Sequence, residues 1–310
     1  MSVAQTENKY HIRKDDTMKN VRNACKKYVK IAVLAEIVAC LLTASSVSVV
    51  AQEIPTNPDS PATEYVQTYV DGKEYTGRAV LYEDTTYVDL AQFAEGILPV
   101  RMTWEEASGV ATLTGDGVSV TLQNGMDYLC ANGRYLWCPA GVFAGEGYAY
   151  VPLRVAAKIF GAEVSWNEEE FAAYVVSGGG VIASGDAFYD EGELYWLSRI
   201  IYSEAGIEPF TGQIAVGNVV LNRVRSAQFP DTIYEVIFDR AYGVQFTPTA
   251  NGTIYCVPDE EAIIAAKLCL EGYTLSDGIL YFLNPALSSN FWVPNNRDYV
   301  MTIAGHDFYS

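Results

Sequence analysis

Glu204 is the residue whose type and position come nearest to chemistry. It follows Leu194, Leu197 and Ile201 at spacings of three and four, so it takes the next place on the apolar stripe of a helix that starts near Asp190. Asp190, Glu191 and Glu193 suit the positive end of that helix, whereas Glu204 falls in its last turn, where the dipole disfavours negative charge. The dipole contributes only about 0.3–1 kcal/mol, so desolvation by neighbours such as Tyr202 has to supply most of a useful upward pKa shift. A glutamic acid still protonated near neutral pH is what a glycosidic leaving oxygen requires of its proton donor. Gly206 stops the helix, and Glu208, standing before Pro209, is biased towards extended geometry outside it. Glu208 is therefore the nearest candidate for a second carboxylate. Gln245, Tyr281, Asn284 and Trp292 have the polar and aromatic character of a sugar cleft, where flat faces stack on pyranose rings.

The elements that must position these groups are mainly helical. A second helix, from a Thr211 cap to about Arg225, is apolar on most sides and is expected to be buried. Asn218 and Asn222 share one stripe of it, and a buried amide must be hydrogen-bonded, so Asn222 is read as a bracket to a loop in preference to a substrate contact. His306, the one histidine outside the first 51 residues, is read as structural.

The motif Ile201-Tyr202-Ser203-Glu204-Ala205 is followed by Glu208-Pro209, Gly212-Gln213-Ile214-Ala215-Val216 and Val220-Leu221-Asn222-Arg223-Val224. After these come Phe229-Pro230, Gln245-Phe246-Thr247, Leu280-Tyr281-Phe282, Asn284-Pro285 and the ending Gly305-His306-Asp307-Phe308-Tyr309. Taken in this order the series resembles the spore cortex-lytic type of cell wall hydrolase, over about Leu194 to Tyr309. That resemblance implies a small, mainly helical, lysozyme-like catalytic domain with Glu204 as its catalytic acid. It also implies a lytic transglycosylase or muramidase-type enzyme acting on the glycan strands of cell wall or spore cortex peptidoglycan, without a cofactor. The family's usual E-A-R-G-E-P is replaced here by Gly206-Ile207 in place of Arg-Gly, so a contact made by that arginine is not carried over.

Ahead of this region the chain repeats itself. Tyr87-Val88-Asp89-Leu90 leads through Ala94 to Trp104-Glu105-Glu106, and Tyr150-Val151-Pro152-Leu153 leads through Ala157 to Trp166-Asn167-Glu168. Each half reads as a strand, a helix over Leu90–Glu95 or Leu153–Phe160, then a hairpin carrying Trp. Trp104 and Trp166 are read as core anchors rather than sugar platforms. The pattern Y-V-P-L-R…G-A-x-V-x-W resembles the copper amine oxidase N-terminal-like domain, which implies a stalk or wall-binding module. The fold class expected is thus α+β multidomain. Its parts are an export signal or anchor over 1–51, a linker over 52–64, the repeat domain over 65–177 and a catalytic domain over 186–310, with a break at Ser177-Gly178-Gly179-Gly180.

Composition narrows the function further. Net charge is −18, and six basic residues face sixteen acidic ones in 61–177 and again in 178–310, so nucleic acid is excluded as a partner. The apolar run Ile31–Val50, behind Lys26, Lys27 and Lys30, reads as an export leader that is cleaved or, if retained, tethers the protein to the membrane. Both outcomes place the protein outside the cytoplasm, secreted or associated with the wall or spore envelope. Cys130, Cys138, Cys256 and Cys269 form an even set able to make two bridges. A turn at Asn132-Gly133 sets Cys130 opposite Tyr135 rather than Cys138. No metal site is expected, because a zinc or copper ligand set cannot be built around one histidine, and this argues against an amidase or peptidase. The competing class is a non-catalytic envelope-binding or spore-structural protein that keeps the hydrolase fold as a scaffold.

Overall fold

Asp89 holds the two repeats together. In this computed structural model, which describes residues 64–288 and 291–310, strands Thr85–Asp89 and Tyr148–Pro152 pair antiparallel with Asp89 opposite Tyr150. Each strand runs straight into a short helix, α1 (Leu90–Glu95) or α2 (Leu153–Ile159), and then into a hairpin. The buried Asp89 carboxylate accepts the Gln92 N–H at the start of α1 and the Ala149 N–H of the second repeat, both at 2.9 Å. Pro152 stands at the matching position and offers no side-chain cap. The repeat is thus structural, with the cross-link built on one half only. The leader and the linker up to residue 63 lie outside the described residues.

Three sheets complete this first body. The paired strands sit in a five-stranded sheet, Val100–Trp137 forms a five-stranded meander, and Glu163–Asn167 with Ala172–Val176 joins Gln67–Val70 and Lys73–Glu74 in a four-stranded sheet. One core fills the body, running through Leu90, Phe93, Leu113, Val120, Leu129, Val151 and Phe160. The hairpin at Asn132-Gly133 has both residues at positive φ, 49° and 81°, which sets Tyr135 opposite Cys130. Trp104 packs against the core, but Trp166 does not: Val164 still reaches the core, and at Trp166 the hairpin has arrived at its turn, leaving the ring 37 % exposed against Phe171.

Cys130, Cys138 and Cys269 are free thiols, so the expected two-bridge arrangement does not form. Hairpin register parts Cys130 from Cys138, and Cys269 is buried between helices of the second body.

The chain past the glycine break still belongs to the first body. Asn132 accepts the Ser119 N–H and donates to Gly117 O and Ile182 O, while its own carbonyl accepts the Gly185 N–H that opens α3 (Gly185–Phe188). Contacts divide the described chain between Asp190 and Glu191.

The second body is a helical layer on a small sheet. Helices α4 (Glu191–Ala205), α5 (Phe210–Arg225), α6 (Ile233–Phe238), α7 (Pro248–Asn251) and α8 (Glu260–Leu270) precede strand Tyr281–Leu283, α9 (Trp292–Asn296) and strands Tyr299–Ile303 and His306–Tyr309. Thr232 and Asp259 cap α6 and α8 through the Glu235 and Ala262 N–H groups. The expected Thr211 cap is displaced: α5 begins at Phe210, because Pro209, with φ fixed at −53°, starts it without a side-chain bond. α5 packs against α4 and α8, and through Ala215 and Val219 it meets Ile279 and Phe308 of the sheet layer.

Buried Gly217 allows this approach. A Cβ there would stand 2.7 Å from Cys269 Sγ on α8 and 2.9 Å from Ile201 Cδ1 on α4. Gly217→Ala should therefore destabilise the domain by about 1–3 kcal/mol, although alanine is the better helix former. Urea unfolding checks this, and an unchanged or raised midpoint would show that the three helices can separate at little cost.

Candidate active site

Glu204 is the last residue but one of α4, as its periodicity requires. Leu197 and Ile201 beneath it are fully buried, and Ala205 closes the stripe. Ser203 Oγ donates to Thr253 O at 3.0 Å and so fixes the end of the helix against the 3-10 turn Thr253–Tyr255. Gly206 then leaves the helix at a point where a Cβ would meet Tyr202 O at 2.5 Å. The Glu204 side chain keeps some solvent-accessible surface, yet protein atoms crowd it enough that desolvation raises its pKa to about 7. An acid that keeps some exposed surface and that water solvates poorly is suited to giving up a proton near neutral pH.

Glu208 is committed elsewhere. The turn after Gly206 carries it towards the C-terminal hairpin, where its Oε2 accepts the Gly305 N–H at 3.1 Å and its Oε1 lies 3.4 Å from His306 Nδ1. Asn284 joins this group, since a Cβ on Gly305 would meet Glu208 Oε1 at 2.8 Å and Asn284 Nδ2 at 3.0 Å. His306 is buried, with Phe282 edge-on to its ring, and burial lowers its pKa against the pull of Glu208 and Asp307.

The remaining candidates gather along one strand. Tyr281 opens the strand that ends beside Asn284, and Trp292 meets the Tyr281 ring at 6.4 Å. Gln245 is half-buried, and its neighbour Phe246 contacts Phe282 on the same strand. Two arginines complete the cluster, and reasoning from sequence passed over both. Arg223 lies over the rings of Phe229, Phe246 and Tyr281 and donates from Nε to Leu280 O. Burial lowers its pKa to about 10. Arg297 lies over Tyr281 and Trp292. The available signal was an arginine motif on a buried helix and an arginine five residues after Trp292.

Asn222 is a bracket, its Nδ2 donating to Ser276 O and Ile279 O at 2.9 Å. Asn218 does the same one turn earlier, donating to Tyr273 O and accepting the Leu275 N–H. Among the described residues, no group of three or more His, Cys, Asp or Glu is disposed to hold a metal ion, and no helix is long and apolar enough to cross a membrane.

Each body is similar to a known family. The sequence model of the Cell Wall Hydrolase family matches residues 207–309, and that of the copper amine oxidase N-terminal domain matches residues 69–175. The second body carries a cell wall hydrolase domain. The chain is 37 % identical over 122 residues to a spore cortex-lytic enzyme of Halalkalibacterium halodurans, covering 39 % of this chain and 36 % of that protein. It is 36 % identical over 121 residues to one of Bacillus cereus, covering 39 % and 45 %. The chain thus spans less than half the length of these curated relatives. The catalytic domain of the germination-specific lytic transglycosylase SleB from Bacillus anthracis is 33 % identical, with 42 % of this chain and all of that one covered and a TM-score of 0.36.

The pKa of Glu204 makes stability depend on pH in a stated direction. Below about pH 4.5 the group is protonated in both folded and unfolded chains, and between that value and about 7 only the folded chain holds the proton. Stability due to this group is therefore full at low pH and is lost as pH rises through 7, by up to about 3 kcal/mol. Glu204→Gln removes the dependence, so the variant should match wild type near pH 4.5 and exceed it in urea at pH 8. A stability difference that stays constant across this range would show that Glu204 is ordinarily solvated.

Proposed function

We propose that this chain is an extracytoplasmic lytic enzyme that cleaves the glycan strands of peptidoglycan, with Glu204 as its acid. The observation that carries this reading is a partly exposed, desolvated carboxyl at the end of α4, set immediately before a cell wall hydrolase domain. The names of the relatives make spore cortex the favoured form of the substrate. The first body, with the repeat domain 65–177, acts as a wall-binding stalk, and the second, from Glu191 rather than from residue 186, acts as the catalytic part. Sedimentation of the isolated span 64–190 with purified sacculi checks the first role, and a span that stays in the supernatant refutes it.

Protonated Glu204 gives its proton to the leaving glycosidic oxygen as the bond to the anomeric carbon breaks. The resulting carboxylate then accepts the proton of the sugar's own 6-hydroxyl, whose oxygen closes on that carbon. A 1,6-anhydro end results and no water is consumed. Two-carboxylate hydrolysis would need a partner about 5–5.5 Å away as nucleophile, or roughly 6.5–9.5 Å away to seat a water. Glu208 is a poor partner, because one of its oxygens is occupied by the Gly305 N–H and the other faces His306. Gln245, Tyr281, Asn284 and Trp292 are proposed to hold the strand.

Three outcomes follow for turbidity clearing of a peptidoglycan suspension. Glu204→Gln should fold and lose at least about 10²-fold in rate. Glu208→Gln, whose amide oxygen can still accept the Gly305 N–H, should lose far less. Wild-type rate should fall as pH rises through about 7, where the acid loses its proton. Near-normal clearing by Glu204→Gln would remove it from the mechanism. Cleavage in ¹⁸O-labelled water decides the chemistry: unlabelled anhydro ends are expected, and label at new reducing ends would mean hydrolysis.

A further inference from the structure

Arg297 stands in a setting that neither the acid nor the domain core explains. Its guanidinium lies 4.6 Å from the Tyr281 ring centre and 5.1 Å from that of Trp292, and its Nη2 donates to Tyr281 Oη at 2.8 Å. These contacts fix the plane of the group without neutralising it. Its Nε is buried with no acceptor, and no carboxylate pairs with it among the described residues. The second body holds fourteen Asp and Glu against six Lys and Arg, so a carboxylate partner was chemically at hand and is not used. Nε has no exposed surface for a ligand to reach, so an arriving acceptor meets the Nη edge of the group, where Nη1 is neither buried nor bonded and Nη2 is held by Tyr281 Oη.

The location is that of the proposed strand-binding side chains. Trp292 is 52 % exposed, and Tyr281 begins the strand that ends beside Asn284 and Glu208. At about 3.3 Å per residue, Arg297 is offset by about 10 Å along this strand from the Glu208 group. A planar fork held on two aromatic rings suits a carboxylate, which it can grip through two parallel bonds, and suits an uncharged sugar hydroxyl less well.

We propose that Arg297 is a specificity-determining residue that binds a free carboxylate carried on the peptide substituent of the glycan strand, while Trp292 covers the adjoining sugar. This rests on the glycan-strand reading above. The substrate class it names is peptide-bearing, anionic glycan, in preference to bare glycan.

The test uses soluble glycan chains carrying peptide stems, and the same chains after carbodiimide amidation of their carboxylates. For cleavage, Arg297→Gln should raise KM about tenfold on the native chains with kcat little changed, and should equal wild type on amidated chains. Arg297→Lys keeps the charge without the fork and should fall between the two. Direct binding is measured in parallel on the Glu204→Gln background with and without Arg297→Gln, by Trp fluorescence. Equal losses on native and amidated chains, or no loss on either, would overturn the role of Arg297. Discriminating binding without any cleavage by wild type would overturn the lytic reading and leave this one standing. If Arg297→Gln fails to melt cooperatively, Arg297→Lys decides alone: a rise in KM confined to native chains supports the proposal, and an unchanged KM refutes it.

Discussion

A helix buried on nearly every side must find most of the partners for its polar groups inside the protein, and α5 is such a helix. Gln213, Asn218 and Asn222 are its buried amides and Arg223 its buried cation; Gln213 Nε2 donates to Glu208 O, and only Gln213 Oε1 and Arg223 Nη1 among their buried polar atoms stay without a partner. Leaving any of them unbonded would cost more than most single apolar contacts contribute. The Tyr273–Leu280 segment supplies the answer with four carbonyls and one N–H. The strand Tyr281–Leu283 is positioned by this requirement, because it follows directly from the last of those carbonyls. Tyr281, Asn284 and the rings around Arg297 therefore take their places from the polar demands of a helix that itself carries no proposed catalytic group.

The same helix bundle sets the environment of Glu204. The helix dipole opposes a carboxylate at this end of α4 by about 0.3–1 kcal/mol, which moves a pKa by less than one unit. The rise from 4.5 to about 7 is larger than that, and desolvation is its cause. Ser203 and Gly206 matter for this reason. One pins the helix end to Thr253, and the other lets the chain turn away beside the Tyr202 carbonyl, so the carboxyl stays in a crowded place and keeps an open side.

Features governed by local periodicity were legible in the sequence. The stripe Leu197, Ile201, Glu204 placed α4 and its end, the turn at Asn132-Gly133 gave the register of its hairpin, and two strand-helix-hairpin units followed from the repeat. The bracket role of Asn222 came from burial alone, since an apolar helix leaves an amide no solvent to bond. Features set across long separations were not legible. The destination of Glu208 depends on Gly305, 97 positions later, and the setting of Arg297 depends on Tyr281, 16 positions earlier. Trp166 misled because strand alternation marks a face but does not tell where the core ends along the strand.

An acidic domain acting on an anionic polymer, as proposed, has to solve a problem of range. At physiological ionic strength the Debye length is about 8 Å, so the diffuse repulsion between exposed carboxylates and the wall is strong only near contact. At that distance the local arrangement outweighs net charge. Tyr281 has two guanidinium groups against its ring, Arg223 at 5.4 Å and Arg297 at 4.6 Å from its centre. Arg223 is buried and loses basicity through burial, and it packs over the ring while bonding Leu280 O. Arg297 shares that ring and also lies against the exposed Trp292, which on the proposed reading makes it the cation that a bound strand would meet. An excess of negative charge elsewhere then favours release of strands that do not engage this point. On the proposed reading, specificity is gained by repulsion over most of the surface and attraction at one place.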